Sequence, residues 1–142
     1  MTPITPYLFY EDVGAAVAWL TEAFDFEETL RSTADDGTVT HAELAYDGDR
    51  LMLGRFSPGY QNPKRTGHVS QLVFVLVTSV DEHCRKAKEH GAVILDGPED
   101  KPYGQRQYTA EDPEGHRWAF AEQVRDVLPE EWGAVQAAAR TL

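Results

Sequence analysis

Two short segments of the sequence carry side chains that could perform chemistry or contact a ligand. In THAEL, His41 and Glu43 lie two residues apart, so on a strand they share one face. Such a pair can act as a base with its orienting carboxylate, form a rim hydrogen bond, or consist of two solvated residues on an exposed strand. In YGQRQY, Tyr103, Arg106 and Tyr108 set two phenol rings beside a guanidinium. That combination suits aromatic or carboxylated ligands, or it merely closes a hairpin.

The charge balance and the single cysteine limit the partners and the compartment. With 24 acidic against 13 basic residues, the chain has a formal charge of −11, which repels phosphate backbones and anionic membrane surfaces. We therefore expect no nucleic-acid or membrane partner, while cationic small molecules would be attracted. Cys84 cannot form an intramolecular disulfide, and it falls on the apolar stripe of a predicted helix, as a buried thiol or a nucleophile. No export signal and no apolar run approaching about 18 residues is found, so we expect a cytoplasmic protein.

These candidate residues must be positioned by a repeated set of strands and helices. The order strand, helix, three strands occurs twice, and a constant offset of 67 places Val13 on Val80, Gly48 on Gly115 and Arg50 on Arg117. Two copies of a βαβββ unit follow from this pattern. The predicted single domain, 1–142, consists of module one (3–56), a linker (57–67), module two (68–124) and a C-terminal helix (128–141).

A βαβββ unit covers one sheet face with its helix and leaves the other face open. Two such units can bring their open faces together around a ligand. We therefore predict an α+β fold with a curved, cup-shaped mixed sheet, helices on the outside and the additional C-terminal helix.

Several motifs, taken together, resemble those of a known family. The paired βαβββ pattern, HAEL, DGDRLMLG, YGQRQY and DPEGHRWAF are similar to the vicinal oxygen chelate superfamily, which includes glyoxalases, bleomycin-resistance proteins and extradiol dioxygenases. The resemblance covers about residues 3–124, and it is strongest to glyoxalase-like or bleomycin-resistance-like members. It implies a small-molecule ligand, a homodimer, and either metal-dependent chemistry of the isomerase, lyase or dioxygenase type or drug binding without chemistry.

The resemblance also implies where a metal would be bound. Family members take His, Gln or Glu ligands from the first and fourth strands of each unit, and counting from the motifs places these positions at Thr5, Met52, Leu72 and Ala119. A hydroxyl, a thioether and two hydrocarbon side chains are poor ligands for a divalent metal. We therefore expect no metal cofactor.

The sequence favours a binding protein that sequesters an aromatic or cationic compound, such as an antibiotic, in an apolar cup. Small residues at Gly54, Ala119 and Ala121 indicate space on the cup face, although a closed core is the alternative. A second functional reading is a superfamily enzyme that uses His41 and Glu43 for proton transfer, and a third is a fold that serves only as an interaction module. The expected ligand contacts are Tyr7, Phe9, His41, Glu43, Met52, His68, Phe74, Tyr103, Arg106 and Tyr108.

Overall fold

The computed structural model describes residues 2–138 and contains two βαβββ modules. Module one contains β1 (Tyr7–Phe9), α1 (Val13–Phe24), β2 (Glu27–Thr33), β3 (Val39–Tyr46) and β4 (Asp49–Gly54). The short helix α2 (Pro63–Thr66) follows in the linker. Module two contains β5 (Leu72–Leu76), α3 (Val80–Glu89), β6 (Val93–Asp100), β7 (Gln105–Glu111) and β8 (Arg117–Gln123).

Each module forms its own four-stranded mixed sheet. The strand orders are β1-β4-β3-β2 and β5-β8-β7-β6, with the first and fourth strands of each module parallel and the other neighbours antiparallel. Every strand pair among the described residues stays within one module, so the sheets do not close into a barrel. The predicted α+β fold of two βαβββ modules is confirmed.

The helix-covered faces of the two sheets share one apolar core. Helix α1 begins where the Asp12 carboxylate accepts a hydrogen bond from the Ala15 amide at 3.0 Å, as expected of an N-cap. At the other end of α1, the ring of Phe24 packs against Trp118 and Phe120 on β8, with centroid separations of 5.4 and 4.6 Å. Core aromatic contacts therefore join the modules, while the opposite face of each sheet is left uncovered.

The internal repeat contains a one-residue difference that the constant offset missed. His41 lies opposite Gly54, whereas Gln107 lies opposite Ala121. The third strands therefore correspond at an offset of 66, because five residues separate the paired Glu111 and Arg117, whereas four separate their counterparts Ala45 and Arg50. A slip of one residue moves a side chain to the other sheet face, so Gln107, and not Tyr108, is the structural counterpart of His41.

Three further expectations change at the connections. The predicted C-terminal helix is replaced by a 3-10 turn at Pro129–Trp132 followed by irregular chain; positions 139–141 of that prediction lie outside the described residues. The linker is not irregular throughout, because Asn62 caps α2 and also donates to Glu114 at 3.0 Å. Strand β5 begins at Leu72, so His68 precedes the strand instead of starting it.

Cys84 is buried in α3, and burial raises the pKa of its thiol. Within residues 2–138, no helix combines the length and the apolar character needed to cross a membrane.

Candidate functional site

The open face of module one gathers side chains from all four of its strands. Backbone register places Leu30, Glu43, Met52 and Tyr7 in one row across β2, β3, β4 and β1. His41 lies two residues from Glu43 on the same face, as predicted, and Phe9 occupies the corresponding place on β1. Five of the predicted ligand contacts, namely Tyr7, Phe9, His41, Glu43 and Met52, therefore lie together.

Four of the side chains on this face form a connected set, which we call the open-face polar array: Tyr7, His41, Glu43 and Arg50. The Tyr7 hydroxyl lies 2.9 Å from Nδ1 of His41, and Nε2 of His41 lies 3.8 Å from a carboxylate oxygen of Glu43. Arg50 approaches the other Glu43 oxygen at 3.2 Å. Arg50 is not among the site residues predicted from the sequence, although its spacing of two residues from Met52 places both on this face.

Gly54 makes the contact between Tyr7 and His41 possible. Strand β4 separates β1 from β3, so the Tyr7 ring has to lie across β4 to reach His41. A Cβ atom at Gly54 would fall 2.5 Å from the Tyr7 hydroxyl oxygen and 2.8 Å from the ring. The space predicted at Gly54 is therefore filled by Tyr7 of the same chain.

On the open face of module two, strands β5 and β8 present apolar side chains, while Thr109 and Gln107 of β7 lie on the same face. Leu72, Phe74 and Leu76 alternate along β5 and are 46%, 47% and 56% exposed. We call these three residues the β5 apolar face. Ala119 and Ala121 lie beside Phe74 and Leu76 in the register, but both are buried. The space predicted at the two alanines is not open to solvent, since longer side chains flank them on both neighbouring strands.

Tyr108 lies in the core and not on the open face, contrary to the sequence prediction. It is fully buried, and its hydroxyl lies 2.6 Å from Nδ1 of His83. Burial raises the pKa of the Tyr108 phenol well above its ordinary value and lowers the pKa of His83. The one-residue slip in the repeat is the reason for the difference.

The remaining predicted contacts of module two are also directed elsewhere. Arg106 forms ion pairs with Asp81 and Asp100 at 2.9 and 3.2 Å. Tyr103 donates to the Gln107 side chain at 2.7 Å and packs against Trp132, while His68 lies exposed in the loop after α2. Of the predicted module-two contacts, Phe74 is exposed on the open face, and Tyr103 reaches that face only through Gln107.

Two clefts separate the edge strands of the two sheets. A cavity of about 480 Å³ lies between the segment before β1, the start of β4 and the edge strand β5. Its lining includes Ile4, Arg50, Phe74 and Val75. A smaller cavity of about 150 Å³ is lined partly by Tyr7, Phe9 and Leu72. The first cavity is within the size range of small-molecule sites, and it joins one member of the polar array to the β5 apolar face.

The residues at the family metal positions do not fit a divalent metal. The residue paired with Met52 on β1 is Tyr7, and the residue paired with Ala119 on β5 is Phe74. Each of these partners lies two residues after the position predicted from the sequence, Thr5 or Leu72. The only donor gained is the Tyr7 phenol, which already contacts His41. In the part of the chain that the structure describes, no three His, Cys, Asp or Glu side chains are grouped to hold a metal.

Two βαβββ modules, each with a four-stranded sheet and one uncovered sheet face, are typical of a superfamily of small-molecule binding proteins and enzymes. The profile of the Glyoxalase/Bleomycin resistance protein/Dioxygenase superfamily matches residues 3–120, and the chain belongs to this superfamily.

Individual relatives support the same assignment. An uncharacterized protein of Mycobacterium bovis is 31% identical over 140 residues, covering 95% of this chain and 90% of the relative. The crystal structure of TioX from Micromonospora sp. ML1 matches with 37% identity and a TM-score of 0.72, covering 87% of this chain and all (100%) of TioX. The fosfomycin resistance protein FosX from Listeria monocytogenes is 14% identical with a TM-score of 0.65, covering 92% and 97%. That likeness shows the shared fold alone.

Proposed function

We propose that the protein binds a small aromatic molecule on its open sheet faces and does so without a metal. The observation that carries this proposal is the half-exposed β5 apolar face, with Phe74 at its centre, in a fold that leaves this surface uncovered. Exposed apolar patches of this kind mark binding sites in folded proteins. The superfamily description includes bleomycin resistance proteins, which supports sequestration of an antibiotic-like compound, and the formal charge of −11 favours a cationic one.

A second copy of the chain completes the proposed site. The protein exposes 9057 Å² of surface, whereas a folded monomer of this mass exposes about 7,350 Å². The exposed irregular chain after β8 contributes part of this difference of about 1,700 Å². The uncovered sheet faces contribute the rest, which is on the scale of the area that each subunit buries in a homodimer. A two-fold pair can place the polar array of one subunit opposite the β5 apolar face of the other, which encloses a ligand between a polar and an apolar wall.

Fluorescence titration tests the proposed binding. We expect planar aromatic antibiotics, cationic and neutral, to quench the intrinsic tryptophan and tyrosine fluorescence in a saturable manner. Replacing Phe74 with alanine removes a stacking surface, so Kd should rise by about 10-fold. Val135→Ala is the matched control, because Val135 is exposed but lies outside the open sheet faces. Absence of saturable binding by every compound of the panel would contradict the proposal.

The proposed independence from metal has its own measurement. Elemental analysis of protein purified without chelators should find zinc, nickel, iron and manganese well below one atom per chain. A near-stoichiometric content of any of them would show that the donor set at Thr5, Met52, Leu72 and Ala119 was interpreted wrongly.

A further inference from the structure

We propose that Tyr7, His41 and Glu43 form a proton relay that removes an acidic proton from a small molecule bound on the open face of module one. This is an activity beyond sequestration, and it rests on the proposed function because the molecule must first bind there. The three residues come from β1 and β3, and the register of the sheet brings them to one place.

The hydrogen positions in the relay follow from the charge beside His41. The Glu43 carboxylate faces Nε2 of His41 at 3.8 Å, and a nearby carboxylate favours a proton on the nitrogen that faces it. Nδ1 then carries a lone pair and accepts a hydrogen bond from the Tyr7 hydroxyl, 2.9 Å away. The Tyr7 oxygen keeps lone pairs that can accept a proton from a ligand, and Tyr7 is 43% exposed.

The proposed step moves one proton without any oxidant or reductant. The Tyr7 oxygen takes the proton of a ligand X–H bond while its own proton passes to Nδ1 of His41, and the X–H electron pair remains on the ligand. The products are a ligand anion, neutral Tyr7 and a His41 imidazolium. The imidazolium is stabilised by the Glu43 charge, and Arg50 fixes the other carboxylate oxygen of Glu43 at 3.2 Å.

The surroundings of the relay indicate the class of substrate. Leu30 and Met52 flank Glu43 in the same row, and the Phe9 ring lies 5.5 Å from that of Tyr7. An apolar, preferably planar molecule with an acidic C–H or O–H bond fits this mixture, such as an enol, a phenol or a carbonyl compound with an α-hydrogen. Its anion would either be released or regain a proton at another atom.

Gly54 distinguishes a positioned relay from a chance contact. A methyl group at this residue would displace the Tyr7 ring, because the Cβ would lie 2.5 Å from the hydroxyl oxygen. Tyr7, His41 and Glu43 would all remain present in a Gly54→Ala protein, but Tyr7 and His41 would be separated. This variant therefore tests the geometry without removing any member of the relay.

The first experiment needs no ligand. Long-range proton–nitrogen NMR should show His41 with the proton on Nε2 and with Nδ1 as a hydrogen-bond acceptor. Tyr7→Phe and Gly54→Ala should both shift the Nδ1 resonance, while His90→Ala should leave it unchanged. A His41 protonated on Nδ1 in the neutral form would overturn the relay, since Tyr7 could then not donate to it.

The second experiment uses a nitrobenzisoxazole as an aromatic probe of general bases. Removal of its acidic C–H proton forms the nitrile as the ring N–O bond breaks, and the electron pair leaves on a coloured phenolate oxygen. We expect the wild-type protein to accelerate this elimination by about 100-fold over His41→Ala, a usual magnitude for a positioned base. Tyr7→Phe, Gly54→Ala and the Tyr7→Phe/His41→Ala double variant should all fall to the level of His41→Ala.

The outcomes separate the relay from the binding proposal. Elimination that persists in Tyr7→Phe would make His41 the direct base and overturn the relay. No acceleration by the wild-type protein would also overturn it, and if aromatic compounds still quench the fluorescence, the binding proposal survives. Loss of all aromatic binding would instead contradict the proposed function. Circular dichroism of each variant, with His90→Ala as the matched histidine control, verifies that the fold is retained.

Discussion

His83 is a buried imidazole that joins the two modules by hydrogen bonds. Its Nε2 lies 3.0 Å from the Phe24 carbonyl oxygen at the end of α1, and its Nδ1 lies 2.6 Å from the Tyr108 hydroxyl. The neutral form with a proton on Nε2 satisfies both contacts, since Nε2 donates to the carbonyl and Nδ1 accepts from the phenol. Both partners are distant from His83 in the sequence, so its structural role is clear only from the fold.

Replacing His83 with alanine should lower the stability of the protein. The substitution leaves a buried phenol without its partner and opens a small cavity, which together cost about 2–4 kcal/mol of unfolding free energy. Urea denaturation provides the measurement. His90→Ala is the control, because the His90 side chain is exposed and contacts only a backbone carbonyl, that of Lys86. Equal effects of the two substitutions would show that the His83 contacts contribute little.

The same residue should make stability depend on pH. Burial lowers the pKa of His83 in the folded protein, so below about pH 6.5, the ordinary histidine pKa, the unfolded chain takes up a proton that the folded protein does not. The contribution of His83 to the free energy of unfolding is therefore complete above pH 6.5, and it decreases as the pH falls toward the lowered pKa of His83 in the folded protein. Urea midpoints at several pH values should show a smaller acid-side decrease for His83→Gln than for the wild type.

Among the secondary-structure elements, the turn between β3 and β4 and the equivalent turn between β7 and β8 each contain a glycine, and the two glycines have different surroundings. Gly48 and Gly115 are repeat partners, and both have positive φ, 87° and 92°. A Cβ at Gly48 would meet nothing within 4 Å, whereas one at Gly115 would lie 2.6 Å from the backbone nitrogen of Lys64 in α2. The second turn therefore holds the linker helix as well as reversing the chain.

This difference predicts unequal effects of the same substitution. Gly48→Ala should lower the free energy of unfolding by about 1–2 kcal/mol, the strain of a left-handed backbone. Gly115→Ala should lower it by at least about 1 kcal/mol more, because the added methyl group would overlap the backbone of α2. The Lys64 amide also donates to the Glu114 carbonyl at 3.0 Å. Thermal or urea unfolding of both variants measures the difference, and equal losses would show that α2 shifts freely.

For the whole molecule, the exposed apolar residues of β5 are the surface on which the proposed second copy would pack. Sedimentation velocity should give a homodimer at micromolar concentration. Phe74→Asp places a charge on the β5 apolar face and should shift the species to a monomer, whereas Val135→Asp, at an exposed residue near the C terminus, should leave the dimer intact. A wild-type monomer at the highest soluble concentration would contradict the proposed assembly.

Much of the fold could be predicted because the signals are local. The Asp12 cap, the apolar stripe of α1 and the alternation along β1 and β5 each depend on residues only a few positions apart, and all of them occur in the structure. The C-terminal helix was predicted from the same kind of local pattern, but up to residue 138, where the described chain ends, this segment contains only the 3-10 turn at Pro129–Trp132. The helix preference of these C-terminal residues is not supported by packing of an apolar helix face, on which most helix stability in proteins depends.

For the candidate site, strand alternation was enough to predict which side chains of β1, β3 and β4 share a face, since alternation depends only on the order of residues along each strand. It could not determine the side of Tyr108, because one extra loop residue reverses the face of a whole strand. Only the tertiary structure brought Tyr7 across Gly54 to His41. That contact joins strands that are not neighbours, and it depends on the space above the strand between them.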